Sequence, residues 1–164
     1  MSPRQPLWPE PVERVSAFLR ASAVNATLQE FPDGTTTARA AAEALGCDQG
    51  QIVKSLVFIC DEDAVLALIP GDRRCDERKG AAAAEAVEAR IASADEVLEA
   101  TGFEPGAVAP FPQAAIALTL IDRVLLQHAT VWIGGGSSTH LISISPPDLV
   151  RLTDAEPADL VASR

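Results

Sequence analysis

Hydrophobic positions along the chain follow two alternating periods. Val12, Val15, Phe18 and Leu19 recur three or four residues apart behind Pro11, which predicts a helix with the proline in its first turn. "TARAAAEALG" repeats that spacing, with Ala41, Ala42 and Leu45 on one face, Thr37 as cap and Gly46 as stop. The small side chains on that face suit close packing against a sheet. "QIVKSLVFIC" and "AVLALIP" are instead β-rich runs separated by "DED", and they predict an antiparallel hairpin. "DERKGAAAAEAVEA" predicts another helix in spite of Gly80. "SADEVLEATG" carries a capping box, Ser93 with Glu96 three residues on, and Gly102 as its stop. "FEPGAVAPFP" predicts a proline-rich loop. "AAIALTLI" predicts a buried strand, and "TVWI" and "HLISI" two more around a glycine run. "SPPDLVRLT" closes the pattern as a helix capped by Ser145 with Pro146 at its first position.

This order of elements is not a regular βαβ repeat, so a doubly wound parallel sheet is not expected. The expected fold is α/β of the α+β kind: a compact, mixed, mostly antiparallel, barrel-like sheet surrounded by helices. A length of 164 residues fits one domain. Residues 1–10, rich in proline, are expected to form an extended N-terminal arm, and residues 11–164 the single domain.

Charge narrows the choice of partners. A net charge of -10 repels phosphates on average, which disfavours non-specific DNA binding. The densest basic stretch, "GDRRCDERKG", holds Arg73, Arg74, Arg78 and Lys79 among Asp72, Asp76 and Glu77, and by itself reads as a solvated helix start. Cys47, Cys60 and Cys75 are odd in number and lack C-x-x-C spacing, which argues against a disulfide framework or a zinc site and fits a reducing cytoplasm. No apolar run approaches a membrane span, and "MSPRQPLWPE" has no signal-peptide core. His128 and His140 are too few and too separated for a metal centre. The expectation is a cytoplasmic protein with no metal, no cofactor, no membrane partner and no specific DNA site.

Five features carry candidate chemistry. Lys54 lies inside an apolar strand on the face of Leu56 and Phe58, so its amine either enters a pocket at the strand's mouth or marks a solvated face. Gly134, Gly135 and Gly136 leave backbone N–H groups uncovered, open to a ligand or simply part of a wide hairpin loop. Gly106 to Pro110 forms a rigid loop, and Asp122 ends an apolar strand next to Arg123. His140 adjoins the glycines and is a candidate pocket wall. No G-x-S-x-G elbow is present, so serine-hydrolase chemistry of that type has no support.

In order, "TARAAAEALG", "IVKSLVF", "AVLALIPGDRRCDERK", "TGFEPGAVAPF", a strand ending "LID", "WIGGG" and "SPPDLVRLT" resemble the YbaK family, the prolyl-tRNA synthetase-associated editing domain. The resemblance runs from about Val12 to about Thr153. It implies a free-standing, trans-acting aminoacyl-tRNA deacylase that removes a small amino acid, Cys or Ala first and Ser next, from tRNA, most typically tRNA for proline. It also implies chemistry without a metal or a covalent enzyme intermediate. By motif position the family lysine matches Lys54, the G-x-x-x-P loop Gly106 to Pro110, the glycine loop Gly134 to Gly136, and the strand-end aspartate Asp122. In relatives the approach to the lysine, here "NATLQEFPDGTTTA", lines the pocket. The partner would be the tRNA acceptor end, with Arg73, Arg74, Arg78, Lys79 and Arg123 near phosphates and a synthetase or elongation factor as possible helper. The rival is a non-catalytic module that binds a tRNA end or an aminoacyl nucleotide.

Overall fold

A computed structural model of the chain describes residues 8–31 and 37–163. Most of the expected arm and the centre of the "FPDGTTT" turn lie outside the described residues. Helix α1 (Glu10–Ser22) is followed by β1 (Thr27–Glu30), α2 (Ala38–Leu45), and the long pair β2 (Val53–Cys60) and β3 (Asp63–Pro70). Then come α3 (Glu77–Ala83), β4 (Ala89–Ile91), α4 (Ala94–Thr101), β5 (Leu118–Asp122), β6 (Val131–Gly134), β7 (His140–Ile144), α5 (Pro146–Thr153) and β8 (Glu156–Ala158). Single 3-10 turns cover Gln49–Gln51 and Arg123–Gln127.

The helix boundaries follow the capping chemistry. Thr37 accepts a hydrogen bond from the Ala40 N–H, Ser145 from that of Asp148, and Ser93 and Glu96 form a reciprocal capping box. Gly46 and Gly102 stop their helices in the left-handed conformation.

The strands form two sheets, a three-stranded one in the order β1-β7-β6 and a five-stranded one in the order β4-β2-β3-β5-β8. Four strand pairs are antiparallel, and β5 lies parallel to both β3 and β8. The sheets touch through one isolated parallel bridge between Ile52 and Trp132. The mixed, mostly antiparallel α+β architecture is the expected one, but the sheet does not close into a barrel. The outer strands β4 and β8 have three residues each, too few to carry a ladder around the edge.

Three strands depart from the hydrophobic pattern. The stretch predicted as one helix over "DERKGAAAAEAVEA" divides: α3 ends at Ala83, Glu85 turns at φ 55°, and Ala89–Ile91 pairs with β2. The Asp61 carboxylate accepts from the Val87 and Glu88 N–H groups and draws this segment onto the sheet edge, overriding the alanines' preference for helix. β1 is mostly exposed and β8 contains Pro157, so neither shows an alternating apolar signal.

The main core lies between the sheets. Val53 and Val57 of β2, Leu66 and Leu68 of β3, and Ile121 of β5 face Ile133, Ile142 and Ile144 of the smaller sheet, closed by Val15, Leu19, Phe111 and Leu149. The opposite face of β2 and β3 carries Phe58, Cys60, Val65, Ala67 and Ile69 beneath α3 and the C-terminal segment. β3 is therefore buried on both faces, which explains its unbroken apolar run. No helix among the described residues is long and apolar enough to cross a membrane.

Asp122 fastens this arrangement at the end of β5. It is 1% exposed. One carboxylate oxygen accepts from the Val124 N–H at 2.9 Å and caps the 3-10 turn, and the other accepts from the Leu160 N–H at 2.8 Å. Asp122→Ala leaves both donors without this partner and is expected to cost about 3 kcal/mol, read as a lowered midpoint in denaturant unfolding. Ile142→Ala, a cavity at the centre of the main core, is expected to cost about 2–5 kcal/mol by the same measurement. A midpoint within error of wild type for either variant would refute the packing described.

Candidate functional site

The strand register sets the site. Lys54 stands opposite Ile69 and Ser55 opposite Leu68. Alternation puts Lys54 on the face of Leu56 and Phe58, as the sequence predicts, and turns Ser55 toward the main core with Val53 and Val57. The lysine amine reaches past the end of β3 and donates to the Arg73 carbonyl at 3.0 Å. Arg73 in turn donates to the Ala162 carbonyl at 2.6 Å, which ties this basic loop to the C-terminal segment.

A cavity of about 410 Å³ opens beside this part of β2. One wall runs from Ile52 to Leu56 and includes Lys54 and Ser55. Gly106 and Val108 of the proline-rich loop form a second, Gly134, Ser137 and Leu141 a third, and Thr37 and Ala38 at the start of α2 the rim. Lys54, Gly106 and Gly134, which lie far apart in the chain, thus border one space. Of "NATLQEFPDGTTTA", Thr37 and Ala38 reach it, while residues 32–36 lie outside the described residues.

Of the three glycines, Gly134 alone borders the cavity. A Cβ at Gly134 would overlap the Val108 carbonyl oxygen. At Gly135 it would stand 2.9 Å from Leu28 Cδ1 and 3.0 Å from the His140 carbonyl oxygen. At Gly136, where φ is 101°, it would stand 2.9 Å from the Pro11 carbonyl oxygen. All three glycines are therefore required by close backbone approach. The Gly135 N–H is already engaged, donating to the His140 carbonyl at 2.8 Å.

The remaining candidates sit elsewhere. Pro110 is buried in its loop and Asp122 is buried at the end of β5; neither borders the cavity. His140 is 2% exposed and stands behind the loop rather than in the cavity wall. Its Nδ1 contacts the Ser137 hydroxyl, its Nε2 lies 3.2 Å from the Glu30 carboxylate but outside hydrogen-bond geometry, and the Trp8 ring meets it edge-on. Burial lowers the His140 pKa, partly opposed by Glu30.

The basic candidates divide by partner. Lys79 is held by Asp159 and the Val161 carbonyl. Arg73 and Arg74 border a depression beside Ala162 and Ser163, while Arg123 borders another with Lys79 and Asp159. Arg78 is exposed on the first turn of α3. The Lys54–Arg73 hydrogen bond connects the cavity's lysine to the first of these depressions.

Ser55 and Ser137 are cavity residues that sequence reasoning did not single out, and Thr37 reads there as a helix cap within a stretch expected to line the pocket. The Ser55 signal was present: a hydroxyl at a core-facing position of an apolar strand. Its Oγ is buried without a hydrogen-bond partner. Nucleophilic thiol chemistry has little footing. Burial and neighbouring acids raise the pKa of Cys47, Cys60 and Cys75, the last to about 11, so the thiols stay protonated at neutral pH. Among the described residues, no group of three or more His, Cys, Asp or Glu is placed to hold a metal ion. What the cavity offers is a lysine charge at its edge, hydroxyls, and bare backbone at two glycines.

Residues 32–152 match the family model for the aminoacyl-tRNA editing domain. The chain is 42% identical over 107 residues to the proline–tRNA ligase of Lactobacillus johnsonii, a match covering 65% of this chain and 19% of the ligase. It is 25% identical over 125 residues, 76% of each chain, to EbsC of Enterococcus faecalis, provisionally named a Cys-tRNA(Pro)/Cys-tRNA(Cys) deacylase. A solved structure provisionally described as a trans-editing enzyme for prolyl-tRNA synthetase superposes with a TM-score of 0.89 at 35% identity, covering 95% of this chain and 99% of the other. A family model over most of the chain and a superposition at 35% identity show that the chain belongs to the aminoacyl-tRNA editing domain family of the YbaK type.

Proposed function

We propose that this protein acts in trans as a deacylase, hydrolysing the ester of a small amino acid, Cys, Ala or Ser, attached to tRNA for proline. The observation that carries the proposal is the cavity that borders Lys54, Gly106 and Gly134 together. An aminoacyl ester is already activated, so hydrolysis needs positioning and polarisation more than a strong nucleophile. Lys54 supplies a fixed positive charge at the cavity edge, beside Arg73 and Arg74. In this reading it holds the terminal phosphate or ribose and takes no proton. The open space at Gly106 lets the ester lie close to the wall. Water attacks the carbonyl with a hydroxyl of the terminal ribose assisting, the bond from the carbonyl carbon to the ribose oxygen breaks, and that departing oxygen takes up the proton the water gives up.

Selection rests on volume. The apolar part of the wall, Ile52, Val53, Leu56, Val108 and Leu141, surrounds a side chain with few polar demands. A missing or extra methylene in such a wall is worth about 1–3 kcal/mol, so attraction alone separates these esters weakly and discrimination against the larger prolyl group has to come from clash. Contact with tRNA stays local to the acceptor end, because the chain as a whole is acidic.

The test is deacylation of tRNA for proline charged with Ala, Cys, Ser, Thr or Pro. Wild type is expected to release one small amino acid selectively, and Lys54→Ala to lower kcat/KM on that substrate about 100-fold. Absence of turnover on every ester, with tRNA still bound, would replace the proposal with the non-catalytic binding module. Gly134→Ala, which drives a methyl into the Val108 carbonyl, is expected to lower both the unfolding midpoint and kcat/KM. Wild-type values for both would refute the close approach of the two loops.

A further inference from the structure

Ser137, His140 and Glu30 form a polar chain running from the cavity wall to the surface. Ser137 borders the cavity and also a second space of about 500 Å³ on the far side of Gly106. Its Oγ lies 2.5 Å from His140 Nδ1, and His140 Nε2 lies 3.2 Å from Glu30 Oε2. Thr139 completes the cluster. Its N–H donates to Ser137 Oγ at 3.1 Å, and its hydroxyl lies 3.1 Å from His140 Nδ1 and 3.2 Å from Ser137 Oγ.

The position of the protons follows from the charges. A bare Nε2 lone pair facing a carboxylate is repelled, so the neutral ring carries its proton on Nε2 and leaves Nδ1 as an acceptor. The nearer hydroxyl, that of Ser137, therefore donates to Nδ1. Its oxygen accepts from the Thr139 N–H, and an incoming cation takes the second lone pair in place of the Thr139 hydroxyl, 3.2 Å away. Glu30 polarises the chain in the sense that makes the serine oxygen more negative.

The cavity raises a matching need. An aminoacyl ester carries an α-ammonium group, cationic below a pH of roughly 7.7. Among the described residues bordering the cavity there is no carboxylate to meet it. The side-chain oxygens there belong to Thr37, Ser55 and Ser137, and of these only Ser137 is fixed as an acceptor by a buried partner.

We propose that Ser137 receives the α-ammonium group of the aminoacyl ester, and that His140 and Glu30 act as positioning residues that hold its hydroxyl in the accepting orientation. The assignment rests on the ester-hydrolysis reading above. It makes the site selective for a free α-amino group, whichever small side chain is attached.

The test compares alanyl-tRNA for proline with its propionyl counterpart, which lacks only the amino group. Wild type and Ser137→Ala are assayed on both, so that the intrinsic reactivity of each ester cancels in the cycle. The alanyl-to-propionyl ratio of kcat/KM is expected to fall about 10-fold or more in Ser137→Ala, chiefly through KM. A ratio unchanged by the substitution overturns the assignment. Absence of wild-type turnover on alanyl-, cysteinyl- and seryl-tRNA alike overturns the deacylase reading itself and this assignment with it; turnover on one of the latter two alone moves the same comparison to that ester and its deamino counterpart.

A pH profile of wild type provides a second readout that does not depend on a variant folding. Glu30 of β1 is the charged group against His140; Trp8, Ser137 and Thr139 around it are neutral. When His140 gains a proton, both ring nitrogens donate, the Ser137 hydroxyl turns its own proton outward, and it opposes the ammonium. Burial keeps the histidine pKa below its ordinary 6.5, so the ratio is expected to hold at pH 7 and fall on the acid side of 6.5. A ratio that stays flat between pH 7 and 5 overturns the role given to His140.

Discussion

The site depends on the close approach of two backbones. β6 ends in glycine, so the chain after it can lie directly against the Val108 carbonyl, the β1 side chain Leu28 and the start of α1. Any side chain at these positions would hold the loops apart. That approach forms one side of the cavity, and the extended wall of β2 forms the other. The loop also carries Ser137 to the cavity wall while burying His140 behind it. A feature that looks like flexibility in one dimension is a packing requirement in three.

Electrostatics give the site its direction. An acidic protein can serve an anionic partner only if its unpaired positive charge is local. Several basic side chains are neutralised within the fold: Arg20 by Glu13, Arg90 by Glu96 and Lys79 by Asp159. Lys54 is different, since its partner is a carbonyl with no net charge. Its ammonium therefore remains a source of positive potential at the cavity edge, over a short range in physiological salt, while Asp72 offsets part of the charge of the adjoining Arg73–Arg74 loop.

How much could be read from the chain differs by residue. The face of Lys54 followed from strand alternation, and Thr37, Ser93 and Ser145 were legible as caps because their hydrogen bonds are local. β4 was hidden because the Asp61 carboxylate, distant in sequence, captures the Val87 and Glu88 N–H groups. Asp122 reads as a strand-end carboxylate in either role, and only its two backbone donors in the fold show what it holds. Gly134, Gly135 and Gly136 stood out as a motif, but their separate duties required the positions of Val108, Leu28 and Pro11.

The sequence by itself determined the five helices, the strands that carry an apolar run, most helix ends and the family resemblance, because each rests on spacing or on bonds that span a few residues. Tertiary structure decided that the sheets stay open, that Ser55 and Ser137 border the same cavity as Lys54, and that Asp122, Pro110 and His140 stand away from it. These outcomes depend on contacts between segments as distant as Lys54 with Arg73 or Glu30 with His140, and hydrophobic periodicity carries no information about such pairs.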